Sequence, residues 1–352
     1  MNDLSPRQCP LPRLLDWGGV LTGQAPLTGG RLLPLGAFPA SLADGLTPVG
    51  LLQPLQPRDE DGEPIPVTDL AAGYAEQAFE LHRAGALALL LYGCTDVRSA
   101  RAAVLGSRQT GLPVLICVQA DSDGDTPEQA DFSAVLASVQ HLGAAAVGFA
   151  CSGDRIDTLT LLGQNAPFAA VPLFCRLQAD RATARPEELN AFAEQALRAG
   201  GDCFLLGEDI TEEQAFAIAR ALNDYDPDSR VTEPDTETLF MSCETEAFYL
   251  TDDNLLFSEP IRCQYDMAAD ILAAEELGCD VLNFHVETLE DAENFAANAH
   301  MIRMPICITA HDEVALELAL MEYNGRAFVD ISSEVSHADL HALARGYGAV
   351  IL

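Results

Sequence analysis

One motif recurs along this chain and constrains its fold more than any other feature: an amphipathic helix, a glycine, then a short apolar run. It reads Glu80-Leu-His-Arg-Ala-Gly85 into Leu87-Ala-Leu-Leu-Leu-Tyr92, and Gln140-His-Leu-Gly143 into Ala145-Ala-Val-Gly-Phe149. Leu197-Arg-Ala-Gly200 leads into Cys203-Phe-Leu-Leu206, Glu276-Leu-Gly278 into Val281-Leu-Asn-Phe284, and Gly346-Tyr-Gly348 into Ala349-Val-Ile-Leu352. A glycine can take the left-handed conformation that ends a helix and turns the chain back toward a sheet. The apolar runs are continuous instead of alternating, as expected of parallel strands covered on both faces. Helix starts agree: Pro186 suits a first turn, and Thr211 with Gln214, and more loosely Thr288 with Asp291, match capping boxes.

Counting units gives an architecture. Before residue 222, strands are expected at Leu14–Asp16, Leu32–Phe38, Val49–Leu55, Leu87–Tyr92, Val114–Gln119, Ala145–Cys151, Pro172–Leu177 and Cys203–Gly207. Eight strands suit a closed barrel. The segments joining the first three are too short and too rich in Gly and Pro for helices, so two covering helices are expected to be missing. Residues 223–236 read as a linker. Beyond it, strands near Leu255–Ile261, Val281–His285, Ile306–Thr309, Phe328–Ile331 and Ala349–Leu352 alternate with four helices. The expected fold is therefore α/β: a (β/α)8 TIM-type barrel over 1–222 that lacks some outer helices, then a partial, half βα barrel over 237–352. The last strand presents an apolar edge, and such edges invite pairing. Either one gap covers the other, or two chains meet edge to edge as a homodimer.

Charge narrows the partners. The chain has 54 acidic against 19 basic residues, a formal net charge of −35, which disfavours nucleic acid and anionic membrane surfaces. Ten cysteines occur without a C-x-x-C pair, the pattern of buried, reduced thiols in a cytoplasmic protein. Asp121-Ser-Asp-Gly-Asp125 imitates the start of a calcium loop, but its glycine is misplaced and Phe132 stands where a glutamate is required, so it reads as a polar loop. No phosphate-binding glycine motif follows a strand, so no nucleotide cofactor is expected.

Several stretches resemble the homocysteine S-methyltransferase family. They are Leu14-Leu-Asp-Trp-Gly-Gly-Val-Leu21, Tyr74-Ala-Glu-Gln-Ala-Phe-Glu-Leu-His-Arg-Ala-Gly85, Gly111-Leu-Pro-Val-Leu115, Ala145-Ala-Val-Gly-Phe-Ala-Cys-Ser152 and Thr211-Glu-Glu-Gln-Ala-Phe-Ala-Ile-Ala219, in the family's order. Phe257-Ser-Glu-Pro-Ile261, Pro305-Ile-Cys-Ile308 and Tyr323-Asn-Gly-Arg-Ala-Phe-Val-Asp330 resemble the pterin-binding barrel that follows in cobalamin-dependent methionine synthase. The resemblance implies a barrel in which three cysteine thiolates hold a zinc ion that activates the homocysteine sulfur. Here Cys151 stands at the first cysteine position, but the Asn before it is Ala150. The adjacent pair closing the last strand is replaced by Leu206-Gly207-Glu208-Asp209, a family glutamate falls at Tyr92, and Asp16 on the opening strand is kept.

One cysteine of three cannot build that zinc site, so zinc is doubtful. A substitute set from Cys151, Glu208, Asp209 and Cys94 is the alternative, since carboxylates also bind zinc. The implied substrate-binding residues are Asp16, Tyr92 and Cys151, and the implied metal residues Cys151 and Glu208. In the second module the family's pterin ligands correspond to Asn283-Phe284-His285, Ile308-Thr309-Ala310 and Asp330-Ile331, where the acidic group of the third strand is lost. Methyltetrahydrofolate is therefore not expected. His285 and His311, near Asp330 and Glu334, offer a metal cluster in principle, although surface or packing histidines are the commoner outcome. Two functions follow: a degenerate, non-catalytic relative that binds a thiol metabolite or a partner protein, or an active S-methyltransferase with a remodelled site. A corrinoid protein is the partner that the resemblance suggests.

Overall fold

The computed structural model describes residues 14–16, 30–33, 47–178, 185–207, 210–226, 229–251 and 255–352. Eight strands close into a barrel: β1 (Leu14–Asp16), β2 (Gly30–Leu33), β3 (Thr47–Leu52), β4 (Ala88–Cys94), β5 (Val114–Ala120), β6 (Ala146–Cys151), β7 (Leu173–Leu177) and β8 (Cys203–Leu206). Parallel pairing of β1 with β8 completes the ring. From β3 to β8 all strands run parallel. The crossovers carry α1 (Val67–Arg83), α2 (Val97–Ser107), α3 (Phe132–Gln140), α4 (Arg155–Asn165) and α5 (Pro186–Arg198), and α6 (Glu212–Asp224) follows β8.

One strand departs from expectation. β2 pairs antiparallel with both β1 and β3. An antiparallel neighbour is reached by a turn, whereas a parallel one needs a crossover of about a dozen residues or more. The connections 17–29 and 34–46, where two covering helices are expected to be missing, lie outside the described residues.

The glycine joints behave as the repeat implies. Gly143 ends the α3 unit at φ 121° and Gly348 closes the last helix at φ 71°, a region that side chains with a Cβ avoid. Thr211 with Gln214 and Thr288 with Asp291 form reciprocal capping boxes, and Pro186 opens α5. Two apolar layers sandwich the sheet. Outside it, Leu89, Ile116, Val147 and Phe149 meet the helices; inside it, Val49, Leu90, Leu115, Phe174 and Leu205 fill the barrel. Gly148 makes the interior fit: a Cβ there would lie 2.1 Å from the Phe174 carbonyl oxygen and 2.4 Å from its ring.

The second sheet has five parallel strands in sequence order: β11 (Ile261–Arg262), β12 (Leu282–Val286), β13 (Ile306–Ala310), β14 (Phe328–Val329) and β15 (Val350–Ile351). Helices α7 (Ala268–Glu276), α8 (Leu289–Asn298), α9 (Glu313–Glu322) and α10 (His337–Tyr347) separate them. The strand expected at Leu255–Ile261 is shorter, with only a bridge from Phe257 to Val281 before β11.

Sequence analysis missed an antiparallel hairpin, β9 (Thr238–Ser242) and β10 (Ala247–Thr251). Its alternation sends Phe240 to the barrel's helix layer and Leu239, Met241, Phe248 and Leu250 to the inner face of the second sheet, against Cys307 and Phe328. The inner face is thus covered by this hairpin, an arrangement that neither expected solution included. The segment expected to be a linker lies along the barrel: Arg230 pairs with Asp202 at 3.0 Å, and the Asp235 amide donates to the Pro167 carbonyl.

A seam of long-range hydrogen bonds joins the α9–β14 region to the barrel. The wholly buried Arg101 donates to the carbonyls of Gly325 (2.9 Å) and Leu320 (2.8 Å). The Glu322 carboxylate accepts the Val67 and Thr68 amides at 2.9 and 3.0 Å, satisfying two orphan donors at the start of α1. Arg326 donates to the carbonyls of Phe240 and Gly348, and the Tyr323 hydroxyl to that of Ser242. Burial pulls the pKa values of Arg101 and Arg326 down to about 10, and burial with the nearby Arg326 charge pulls His141 down to about 3. Among the described residues, no helix is long and apolar enough to cross a membrane.

Candidate functional site

In barrels of this kind, function sits at the C-terminal ends of the strands, where loops converge. The inward-facing side chains there include Leu51, Tyr92 and Ala150, which pack against the interior cluster. Tyr92 precedes a bulge at Gly93 (φ 74°), where the pairing of β4 with β5 slips a register. The Arg176 guanidinium, on β7, lies over the Tyr92 ring at 5.5 Å from its centroid, within cation–π range. Its Nε is buried and has no hydrogen-bond partner. Burial pushes the nearby Cys117 thiol up to about 12, against the opposing Arg176 charge.

Cys151 lies elsewhere. Alternation along β6 turns Ala150 inward and Cys151 outward, where the thiol packs against the helix-side core. Its Sγ donates to the Asp121 carbonyl at 3.2 Å and accepts the Gly153 amide at 3.3 Å. Burial raises the thiol above its ordinary pKa, with Asp157 and Asp121 adding to the shift against bonds from Gly153 and Thr158. That favours the thiol, whereas a metal ligand must be a thiolate. Cys94 is also on the helix side, wholly buried, donating to the Asp96 carbonyl, and burial raises its pKa well above the ordinary range. Asp16 is in register with Leu206 and Arg31. Glu208 and Asp209 lie outside the described residues. Tyr92 therefore reaches the barrel mouth, while Cys151 is on the opposite face of the sheet. Among the described residues, no three His, Cys, Asp or Glu side chains are grouped to hold a metal.

The second sheet carries a polar row on its inner face, beyond the part that the hairpin covers. The Thr309 hydroxyl lies 3.4 Å from Asn283 Oδ1 and 3.2 Å from Asp330 Oδ2. Burial alone would raise the Asp330 carboxyl; bonds from Ser332 and Thr309, with the nearby His285, outweigh it and hold the group below its usual range. The cluster suggested by His285, His311, Asp330 and Glu334 is not assembled: His311 and Glu334 are exposed, and their amides extend the sheet edge through Val286 and Ala310. The Asp121 loop is the polar connection expected, its Oδ1 accepting the amides of Asp123, Gly124 and Asp125. A cavity of about 420 Å³ beside it is lined by Asp123, Asp125, Asp131, Phe168 and Tyr249 among others.

Comparison with known proteins decides the family. The homocysteine S-methyltransferase family model matches residues 33–214, just over half of the chain. The chain belongs to the homocysteine S-methyltransferase family. The methionine synthase of Mycobacterium leprae (strain TN) is 30% identical over 42% of the chain, which spans only 14% of that protein's length. Among solved structures, the apo homocysteine methyltransferase MmuM of Escherichia coli shares 18% identity over 51% of this chain and 64% of that one, at a TM-score of 0.40. The tryptophan synthase α-subunit of Pyrococcus furiosus matches at 13% identity, covering 44% of this chain and 60% of that one, with a TM-score of 0.30. In this homocysteine S-methyltransferase family member, the matched segment spans β3 to β8 and so includes Tyr92, Cys151 and Arg176. Arg176 escaped the sequence analysis, although one charge inside Leu173-Phe-Cys-Arg-Leu177 was its signal.

Proposed function

We propose that the barrel is a divergent homocysteine S-methyltransferase-family module that binds a small thiol amino acid at its mouth without the family's thiolate zinc, and does not transfer methyl groups by that route. The orientation of Cys151 carries this reading: its thiol faces the helix layer, protonated and bonded to the Asp121 carbonyl. The donor set does not fit a three-cysteine zinc site, because Glu208 and Asp209 stand where the cysteine pair would be. Arg176 over Tyr92 suits the carboxylate of an amino-acid ligand, since guanidinium recognises carboxylates by paired hydrogen bonds. The pterin ligand is not expected at the Asn283–Thr309–Asp330 row, whose third-strand position is a threonine. The reading puts the protein in the cytoplasm on its cysteines without a C-x-x-C pair, and away from nucleic acid and anionic membrane surfaces on its charge of −35.

Calorimetric titration of L-homocysteine, with and without one equivalent of zinc, tests it. Equal affinity in both conditions, lost in Arg176→Gln, is expected. A zinc-dependent gain of tenfold or more would overturn the reading in favour of an active, remodelled site using Cys151, Glu208, Asp209 and Cys94. Absence of binding in both would leave a scaffold for a partner such as a corrinoid protein.

A further inference from the structure

The exposed face of α10 carries two imidazoles that no function above uses. His337 and His341 are one turn apart, both exposed, and their Nε2 atoms lie 3.1 Å from each other with ring centroids at 4.3 Å. Spacing of four residues puts two side chains on one face of a helix, but it does not by itself point two ring nitrogens at a common position. Here it does. Two metal–nitrogen bonds of ~2.05 Å with this separation would subtend ~98°. That lies between the ~90° of square or octahedral coordination and the ~109° of a tetrahedron. Neutral imidazole is the form that binds metal.

We propose that His337 and His341 form a bidentate site for a divalent transition ion, with Cu(II) bound most tightly, then Ni(II) and Zn(II). Imidazole nitrogen is the preferred donor for these ions, and Cu(II) heads the affinity order for nitrogen sites. The chain's charge of −35 concentrates such cations near its surface. Two neighbours set the local field. Asp339, between the histidines in sequence, is engaged with Ser336 at the helix start, and Arg345 follows one turn after His341. Neither supplies a third ligand, so the remaining positions on the ion are open to water or to an incoming small ligand. The site is independent of the barrel-mouth reading.

The test is Cu(II) titration of the full chain near neutral pH with millimolar Mg2+ present to occupy the acidic surface, read by calorimetry and by electron paramagnetic resonance. One Cu(II) per chain with a two-nitrogen signature is expected. Affinity should fall tenfold or more in His337→Ala and in His341→Ala. A respaced variant, His341→Gln with Ala342→His, keeps seven histidines but breaks the one-turn geometry, and should lose as much. All three sites are exposed, and circular dichroism confirms that the helices persist. Unchanged affinity in either alanine variant, retention of full affinity on respacing, or a one-nitrogen spectrum would overturn the proposal.

Discussion

Arginine is used in two different ways in this molecule, at the seam between the two sheets and at the barrel mouth. At the seam, Arg101 is wholly buried and Arg326 half-buried, and their donors reach backbone carbonyls at 2.8–3.0 Å. Among the described residues neither forms an ion pair. Their charge is an electrostatic burden, visible in pKa values drawn down to about 10, and their value is geometric: each ties two otherwise unsatisfied carbonyls together. At the mouth, Arg176 is half-buried, rests on the Tyr92 ring, and keeps a buried Nε without a partner. Seam arginines serve the fold. The mouth arginine is the one proposed to serve a ligand.

The largest break should come from the barrel interior that both regions lean on. Gly148→Val would force side-chain atoms into the Phe174 carbonyl and ring, so a loss of about 3 kcal/mol or more is expected, read as a lower urea midpoint. Next is the seam. Arg101→Met removes a buried charge but orphans the Leu320 and Gly325 carbonyls; at about 1–3 kcal/mol for each unsatisfied group, the net loss should be about 2–3 kcal/mol. A midpoint equal to wild type would mean that the guanidinium is dispensable and the seam is held by packing alone.

How far the sequence foretold each region follows from the range of its contacts. Local signals were legible: the glycine joints, Pro186, and the capping boxes at Thr211 and Thr288 depend on neighbours within a few residues. The direction of β2 was not, because an apolar run reads the same whichever way its neighbour runs. The β9–β10 hairpin was hidden because both of its faces are apolar, one set against the barrel helices and the other against Cys307 and Phe328, so no polar alternation marked it. Seam residues were invisible, since Arg101 and Leu320 are 219 positions apart and Glu322 and Val67 are 255 apart. At the candidate site, motif positions located Tyr92 and Cys151 along the chain, but facing depends on strand parity: Ala150 took the inward place and Cys151 the outward one.

A smaller seam effect isolates electrostatics from shape. Glu322→Gln keeps an oxygen acceptor for the start of α1 but removes the negative charge that favours a helix N-terminus. A loss of about 1 kcal/mol is expected from thermal unfolding, and because Glu322 is buried it should persist in high salt. No loss at all would show that one uncharged acceptor is enough for the start of α1.

The smallest effect on stability should come from the mouth, and it is the sharpest test of the comparison. Arg176→Gln shortens a half-buried side chain and removes its cation–π contact with Tyr92, worth about 0.5–1 kcal/mol at such a site. It also relieves a buried Nε of its missing partner, which offsets part of that loss. Unfolding should therefore shift by about 0.5 kcal/mol or less in either direction, while L-homocysteine binding falls at least tenfold. If Arg176→Gln instead destabilised the chain as much as Arg101→Met, the mouth arginine would be structural like those of the seam. The proposed ligand carboxylate would then have lost its anchor.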